Sequence, residues 1–235
     1  MGVLLILMTI GGLVLAGILF GVARLHQSAW LKKFVLASLA IWFAFYFALL
    51  LGSSLMSKER LIPVGDTDGK TFCGFYLDCH LHAAVAGVMR AKAIGNKTAV
   101  GDFYIVRVKV FSDARNPEIA FHLIEPNARI VLADGSELRR DTDAEALLPS
   151  ADARLDGDIK GSQTIEKEIV FDVEQRGRDL KLLITEGYGI DKWIERFLIG
   201  DDDSLFHKQT YFALSTPSGL EGDLTSQTSD LGINK

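Results

Sequence analysis

The chain has 235 residues, a length that admits one or two domains, with 25 basic against 30 acidic side chains and two cysteines. The first 56 residues contain Arg24, Lys32 and Lys33 and no acid, so the other 22 basic residues face all 30 acidic ones. An acidic remainder repels phosphate backbones, which excludes nucleic acid as a partner.

The segments Met1–Ala23 and Phe34–Met56 contain no charged side chain. About 20 predominantly apolar residues suffice for a helix to cross a hydrocarbon core of roughly 30 Å. The sequence therefore predicts a transmembrane helical hairpin over residues 1–56, with helices at about 3–23 and 34–56. The first run is not a cleavable signal, because its positive charge follows the apolar stretch and the stretch exceeds about 7–15 residues. The short connector from Arg24 to Lys33 carries all three basic residues of the region, and such loops stay cytoplasmic. That expectation makes the chain a multi-pass cell-membrane protein whose termini and soluble domain are extracytoplasmic. No ionisable group interrupts either apolar core, so the helices read as an anchor and not as an ion path. Trp30 suits the headgroup zone, and Trp42, Phe43, Phe45, Tyr46 and Phe47 suit lipid contact. Gly11, Gly12, Gly17 and Gly21 offer a small-residue face for close packing of the second helix.

Residues 57–71 include Pro63, Gly65 and Gly69 and read as a linker. Beyond them, over 72–214, period-two alternation predicts a β domain. Tyr104, Val106, Val108 and Val110 form an apolar face opposite Arg107 and Lys109. Further strands are expected at Leu81–Met89, Glu118–Ile124, Ala128–Leu132, Glu137–Arg140, Thr164–Val173, Leu180–Thr185 and Gln209–Leu214, with a tight hairpin at Asp134-Gly135. Seven or eight such strands predict an antiparallel sandwich. One short amphipathic helix is expected from Asp191 to Gly200, with Trp193, Ile194, Phe197 and Leu198 on one face, plugging an end of the sandwich. Residues 215–235 are polar and predict a disordered tail.

The run Phe72-Cys73-Gly74-Phe75-Tyr76-Leu77-Asp78-Cys79-His80-Leu81, the stretch Gly101 to Asp113, and Phe197 to Ser204 leading to His207-Lys208 resemble bacterial secreted domains of unknown function. These look like relatives of a small secreted mycobacterial antigen. The resemblance covers roughly Phe72 to Leu214. It implies a mainly β chain with an immunoglobulin-like sandwich and an extracytoplasmic address, and it carries no catalytic motif.

Chemistry is concentrated at the start of this domain, where two readings stand side by side. Cys73 and Cys79 lie on the side of the membrane where thiols oxidise, which favours a disulfide. Alternatively Cys73, Cys79, His80 and His82 are soft ligands suited to copper or zinc, although their spacing departs from common zinc patterns. With a disulfide, Phe75, Tyr76 and Leu77 form either an exposed interaction tip or a satellite of the core. Asp201, Asp202 and Asp203 read as a solvated turn, since a calcium site needs 6–8 oxygen ligands. The sequence has no Gly-rich phosphate loop, no G-x-S-x-G elbow and no H-E-x-x-H helix. The expected function is a non-enzymatic binding module without a cofactor, an accessory subunit of an envelope complex partnered by the bilayer and another envelope protein. The alternatives are an extracytoplasmic copper or zinc protein and a hydrolase built on His122 or His207.

Overall fold

A computed structural model describes residues 2–74, 78–174 and 179–214. Two long helices open the chain, α1 (Gly2–Leu25) and α2 (Ala29–Met56), and both are long and apolar enough to cross a membrane. Ser28 caps α2 by accepting a hydrogen bond from the Leu31 amide, and Gln27 takes a positive φ of 50° to turn the chain between the helices. The indole of Trp42 donates to Thr9 across the hairpin, at 3.1 Å. The glycine face expected to pack against α2 does not do so. A Cβ placed on Gly11, Gly12, Gly17 or Gly21 would meet nothing within 4 Å, and a groove of about 320 Å³ lined by Gly12, Ala16, Ser38 and Trp42 separates the helices there.

Eleven strands follow among the described residues: β1 (Arg60–Ile62), β2 (Lys70–Gly74), β3 (Asp78–Ile94), β4 (Lys97–Ser112), β5 (Ala120–Phe121), β6 (Asn127–Val131), β7 (Glu137–Arg139), β8 (Ile159–Lys160), β9 (Thr164–Val173), β10 (Lys181–Thr185) and β11 (Thr210–Ala213). They form a five-stranded sheet in the order β1-β11-β10-β6-β7, a four-stranded sheet β2-β3-β4-β9, and the small pair β5-β8. Both large sheets send side chains into one cluster: Ile62, Ile130, Leu182, Ile184 and Phe212 from the first, and Phe72, Leu81, Val85, Tyr104, Val106, Ile169 and Phe171 from the second.

Three features depart from the sequence expectation. The segment read as a linker supplies β1 and the first residues of β2. The expected all-antiparallel arrangement is mixed, because β1 runs parallel to β11. The reason is local: Ser57 Oγ accepts from the Lys208 amide at 2.8 Å, so the two strands leave one tie point and run out together, Arg60 beside Thr210. Two short helices are present where one was expected, α3 (Thr142–Glu145) and α4 (Gly189–Glu195).

Around α3 the four-stranded sheet gains a second buried face. Ala144 and Leu148 pack on Ile94, Phe103, Ile105 and Val170, so β4 is buried on both sides from Asp102 to Val106. Glu145 fixes the segment, accepting from Arg140 and, at 3.1 Å, from the Val170 amide. The hairpins follow from residues that tolerate positive φ: Gly135 at 83° between β6 and β7, with Asp134 Oδ1 accepting from Ser136, and Gly95 at 57° between β3 and β4.

At Gly101 the sheet tolerates no side chain, because a Cβ there would lie 1.9 Å from the Val173 carbonyl oxygen. Gly101→Ala is expected to cost about 1–3 kcal/mol, the range for overpacked sites, and to lower the melting temperature of the full chain by several degrees in a calorimetric scan. An unchanged melting temperature would show that the β4–β9 register differs.

Candidate functional site

A chemically loaded concavity lies in the β domain, against α4 and the turn that follows it. It is a cleft of about 250 Å³ lined by β2, the end of β10, α4 and the turn that follows α4. Lys70 forms its centre. Period-two geometry puts Lys70 on the same inward face of β2 as Phe72, and both are buried. Its ammonium donates to the Ile184 carbonyl at 3.3 Å, pairs with Asp202 at 3.3 Å and lies 5.4 Å from the centre of the Phe72 ring.

Around this one buried cation stand Glu186, Glu195, Asp201, Asp202 and Asp203, with Arg60 at the rim. The three aspartates expected to be a solvated turn are instead a built wall. Asp201 Oδ1 accepts from the Asp203 amide, the Asp201 amide donates to Ser204 Oγ, Ser204 Oγ donates to the Leu198 carbonyl, and Gln209 donates to Asp203. Burial raises the Asp201 carboxyl above the usual carboxylate range, against the opposing pull of the Asp203 amide. Burial likewise raises Glu186, against the Ile124 amide, whose hydrogen bond it accepts at 3.0 Å, and against the charge of Lys70. The cleft thus combines a paired ammonium with carboxyls that hold protons more tightly than free ones, an arrangement suited to binding a cationic or hydrogen-bonding group. The sequence signal for it was a lysine at an inward strand position, alternating with Phe72.

The residues singled out from sequence fall partly elsewhere. Cys73 and Cys79 are joined in a disulfide between β2 and β3, so both sulfurs that the copper or zinc reading requires are used. Phe75, Tyr76 and Leu77 lie outside the described residues. His80 and His82 do share a face of β3, and they converge on a residue that sequence reasoning did not pair with them. Asp113 Oδ1 lies 2.7 Å from His80 Nδ1, and Asp113 Oδ2 lies 3.4 Å from His82 Nε2. The β3–β4 pairing brings the end of β4 beside His80, whose carbonyl accepts from the Asp113 amide. The His80 hydrogen bond holds the Asp113 carboxyl below the usual range. His82 also contacts Thr71 Oγ1 at 3.3 Å and stacks on Phe111 at 5.2 Å between ring centres. Among the described residues no group of three or more His, Cys, Asp or Glu side chains is arranged to hold a metal ion. His122 faces Asp158 at 3.3 Å with both side chains exposed, and His207, at the turn before β11, donates its amide to the Ser204 carbonyl at 3.0 Å and has a buried Nδ1.

No family model matches the chain, and no curated protein matches it in sequence. Among solved structures it is similar to that of a secreted protein from Mycobacterium tuberculosis, MPT63, at 14% identity and a TM-score of 0.41, over 66% of this chain and 99% of that one.

The raised carboxyl in the cleft has a defined sign. A carboxyl that binds its proton more tightly when folded contributes most to stability below its unfolded-state pKa. That contribution falls as the pH rises towards the folded-state value and stays lower above it. Glu186→Gln removes the penalty, so the variant is expected to melt above the parent at neutral pH, with the gap closing as the pH drops below the ordinary carboxylate range. Melting curves of the full chain in detergent across that range check this, and a gap independent of pH would contradict it.

Proposed function

We propose that the chain is a membrane-anchored, extracytoplasmic interaction module without catalytic activity, an accessory subunit that presents one face to another envelope protein. In this reading α1 and α2 cross the bilayer as a hairpin, the connector with Arg24, Lys32 and Lys33 faces the cytoplasm, and both termini lie outside. The two large sheets are read as an immunoglobulin-like sandwich, supported by the single core to which both contribute. An oxidising address also suits a disulfide between the only two cysteines.

The observation that carries the proposal is the joint between hairpin and domain. Only three residues separate the end of α2 from β1. In addition, Tyr46 of α2 donates to the Phe197 carbonyl at 2.5 Å, and Ser57 accepts from Lys208. A flexible tether would suffice to retain an enzyme at a membrane. A braced joint sets the height and tilt of the domain, which matters when a surface must meet a co-resident partner, and confinement raises that partner's effective concentration. Three histidines face carboxylates: His80 and His82 converge on Asp113, and His122 on Asp158.

Two measurements test this reading. Protease added to intact spheroplasts is expected to degrade the β domain while sparing the connector; a protected domain would place it inside. Mild detergent extraction at native expression, followed by crosslinking mass spectrometry, is expected to recover a second envelope protein linked to the β domain. Recovery of the chain alone would count against an accessory role.

A further inference from the structure

The helix expected to plug the core turns its apolar stripe the other way. Ile190, Trp193, Ile194 and Phe197 recur at the i, i+3, i+4, i+7 spacing of one helical face, yet they are 71%, 62%, 38% and 38% exposed. The residues turned inward are Glu195, which is buried against the acidic cleft, and Leu198. A soluble amphipathic helix buries its apolar stripe, so this inversion requires a different solvent for the outward face.

The neighbouring turn extends the surface. The Leu205 amide donates to the Arg196 carbonyl at 3.1 Å, which fixes Leu205 and Phe206 beside the end of α4. Phe206 is 66% exposed and is held at a φ of +65°, a backbone conformation uncommon for a bulky residue. Tyr188 precedes the helix and is also exposed. Arg196 lies over the Trp193 ring at 5.2 Å, and Lys192 immediately precedes that tryptophan on the helix. Aromatic rings interleaved with basic groups are the composition of a membrane interface, where rings sit at headgroup depth and cations meet phosphate.

Position identifies the occupant. Tyr46 holds the Phe197 carbonyl, and the first residue of α1 is as close to Ile199: a Cβ on Gly2 would lie 2.8 Å from the Ile199 carbonyl oxygen. About 20 residues counted from Phe34 place the outer hydrocarbon boundary near Ser53, so Tyr46 lies roughly two turns inside it. The end of α4 is therefore held alongside the outer turns of the hairpin, where Leu4, Leu7, Leu49 and Leu55 are exposed as well.

We propose that α4 and the Leu205-Phe206 turn form an interfacial foot that lies in the headgroup and upper acyl region of the bilayer, on the side of the β domain. The inference rests on the anchoring reading above and extends it. With the hairpin, the foot gives the domain a second lipid contact, fixing its tilt and pressing the Lys70 cleft towards the membrane surface.

The experiment uses the full chain in phosphatidylcholine vesicles whose acyl chains carry bromine either near the headgroup or near the terminal methyl. Trp30→Phe with Trp42→Phe leaves Trp193 as the reporter, and Trp30→Phe with Trp193→Phe leaves Trp42. Trp193 emission is expected to lose more intensity with shallow bromine than with deep bromine, and Trp42 the reverse. Trp193 as bright as in unbrominated vesicles, with Trp42 quenched, would overturn the foot while leaving the anchor intact, whether water or a second copy covers α4. If neither is quenched, the anchor itself is wrong. In the unsubstituted chain, photoactivatable phosphatidylcholine with its reactive group near the headgroup is expected to leave lipid adducts on the peptide spanning residues 188–207. Adducts confined to hairpin peptides would refute the foot independently of the tryptophan substitutions.

Discussion

The hydroxyl of Tyr46 reaches out of an otherwise apolar helix to the carbonyl of Phe197, and the geometry of the junction depends on that bond. A backbone carbonyl taken out of water and left unpaired costs roughly 1–3 kcal/mol. Tyr46 satisfies it and at the same time hides its own polar end. The consequence passes along the chain, because Phe197 is one residue from Leu198, whose carbonyl accepts from Ser204, and Ser204 receives the amide of Asp201. The acidic wall of the cleft is thus braced, through three linked hydrogen bonds, against a residue of α2.

The β domain meets a second constraint at its other side. A sheet in an antiparallel protein commonly keeps one face wet, but β4 is buried on both faces through its middle. Its inner side chains Tyr104 and Val106 join the core between the two large sheets, while Phe103 and Ile105 are covered by the segment around Ala144 and Leu148. Covering that outer face brings Glu145 out of solvent, and the buried carboxylate is tolerated because Arg140 and the Val170 amide both donate to it. Packing on two sides leaves the four-stranded sheet as a rigid support for the histidine pair and for Lys70 of the neighbouring β2.

Much of this was legible in the sequence, and the exceptions share a cause. The two apolar helices, the strand Thr164–Val173 and the Asp134-Gly135 hairpin are set by local pattern, and local pattern predicts them. The alternation at Tyr104 to Val110 correctly gave one apolar face, but Phe103 and Ile105 could be assigned a cover only by knowing where residues 142–148 return. The parallel strand at Arg60–Ile62 was missed because three residues carry no period, and its pairing depends on the distant Ser57–Lys208 tie. At the candidate sites the same rule holds. His80 and His82 were visible as a pair on one strand face, whereas Asp113 joins them only through the β3–β4 register. The Asp201–Asp203 run resembles a solvated turn until Lys70, far away in sequence, is placed against it.

The helix α4 shows why hydrophobic periodicity identifies a face without identifying its solvent. The face of Trp193, Ile194, Phe197 and Leu198 was expected to plug an end of the sandwich, since that is where apolar stripes of soluble domains go, yet of these four only Leu198 is buried. The polar side of the same helix supplies Glu195 to the wall of the Lys70 cleft. One helix therefore carries two unlike faces, a charged one towards the cleft and an exposed apolar one on its outer side. In the proposed reading that outer side meets lipid, at the level to which the Tyr46 bond holds the end of the helix.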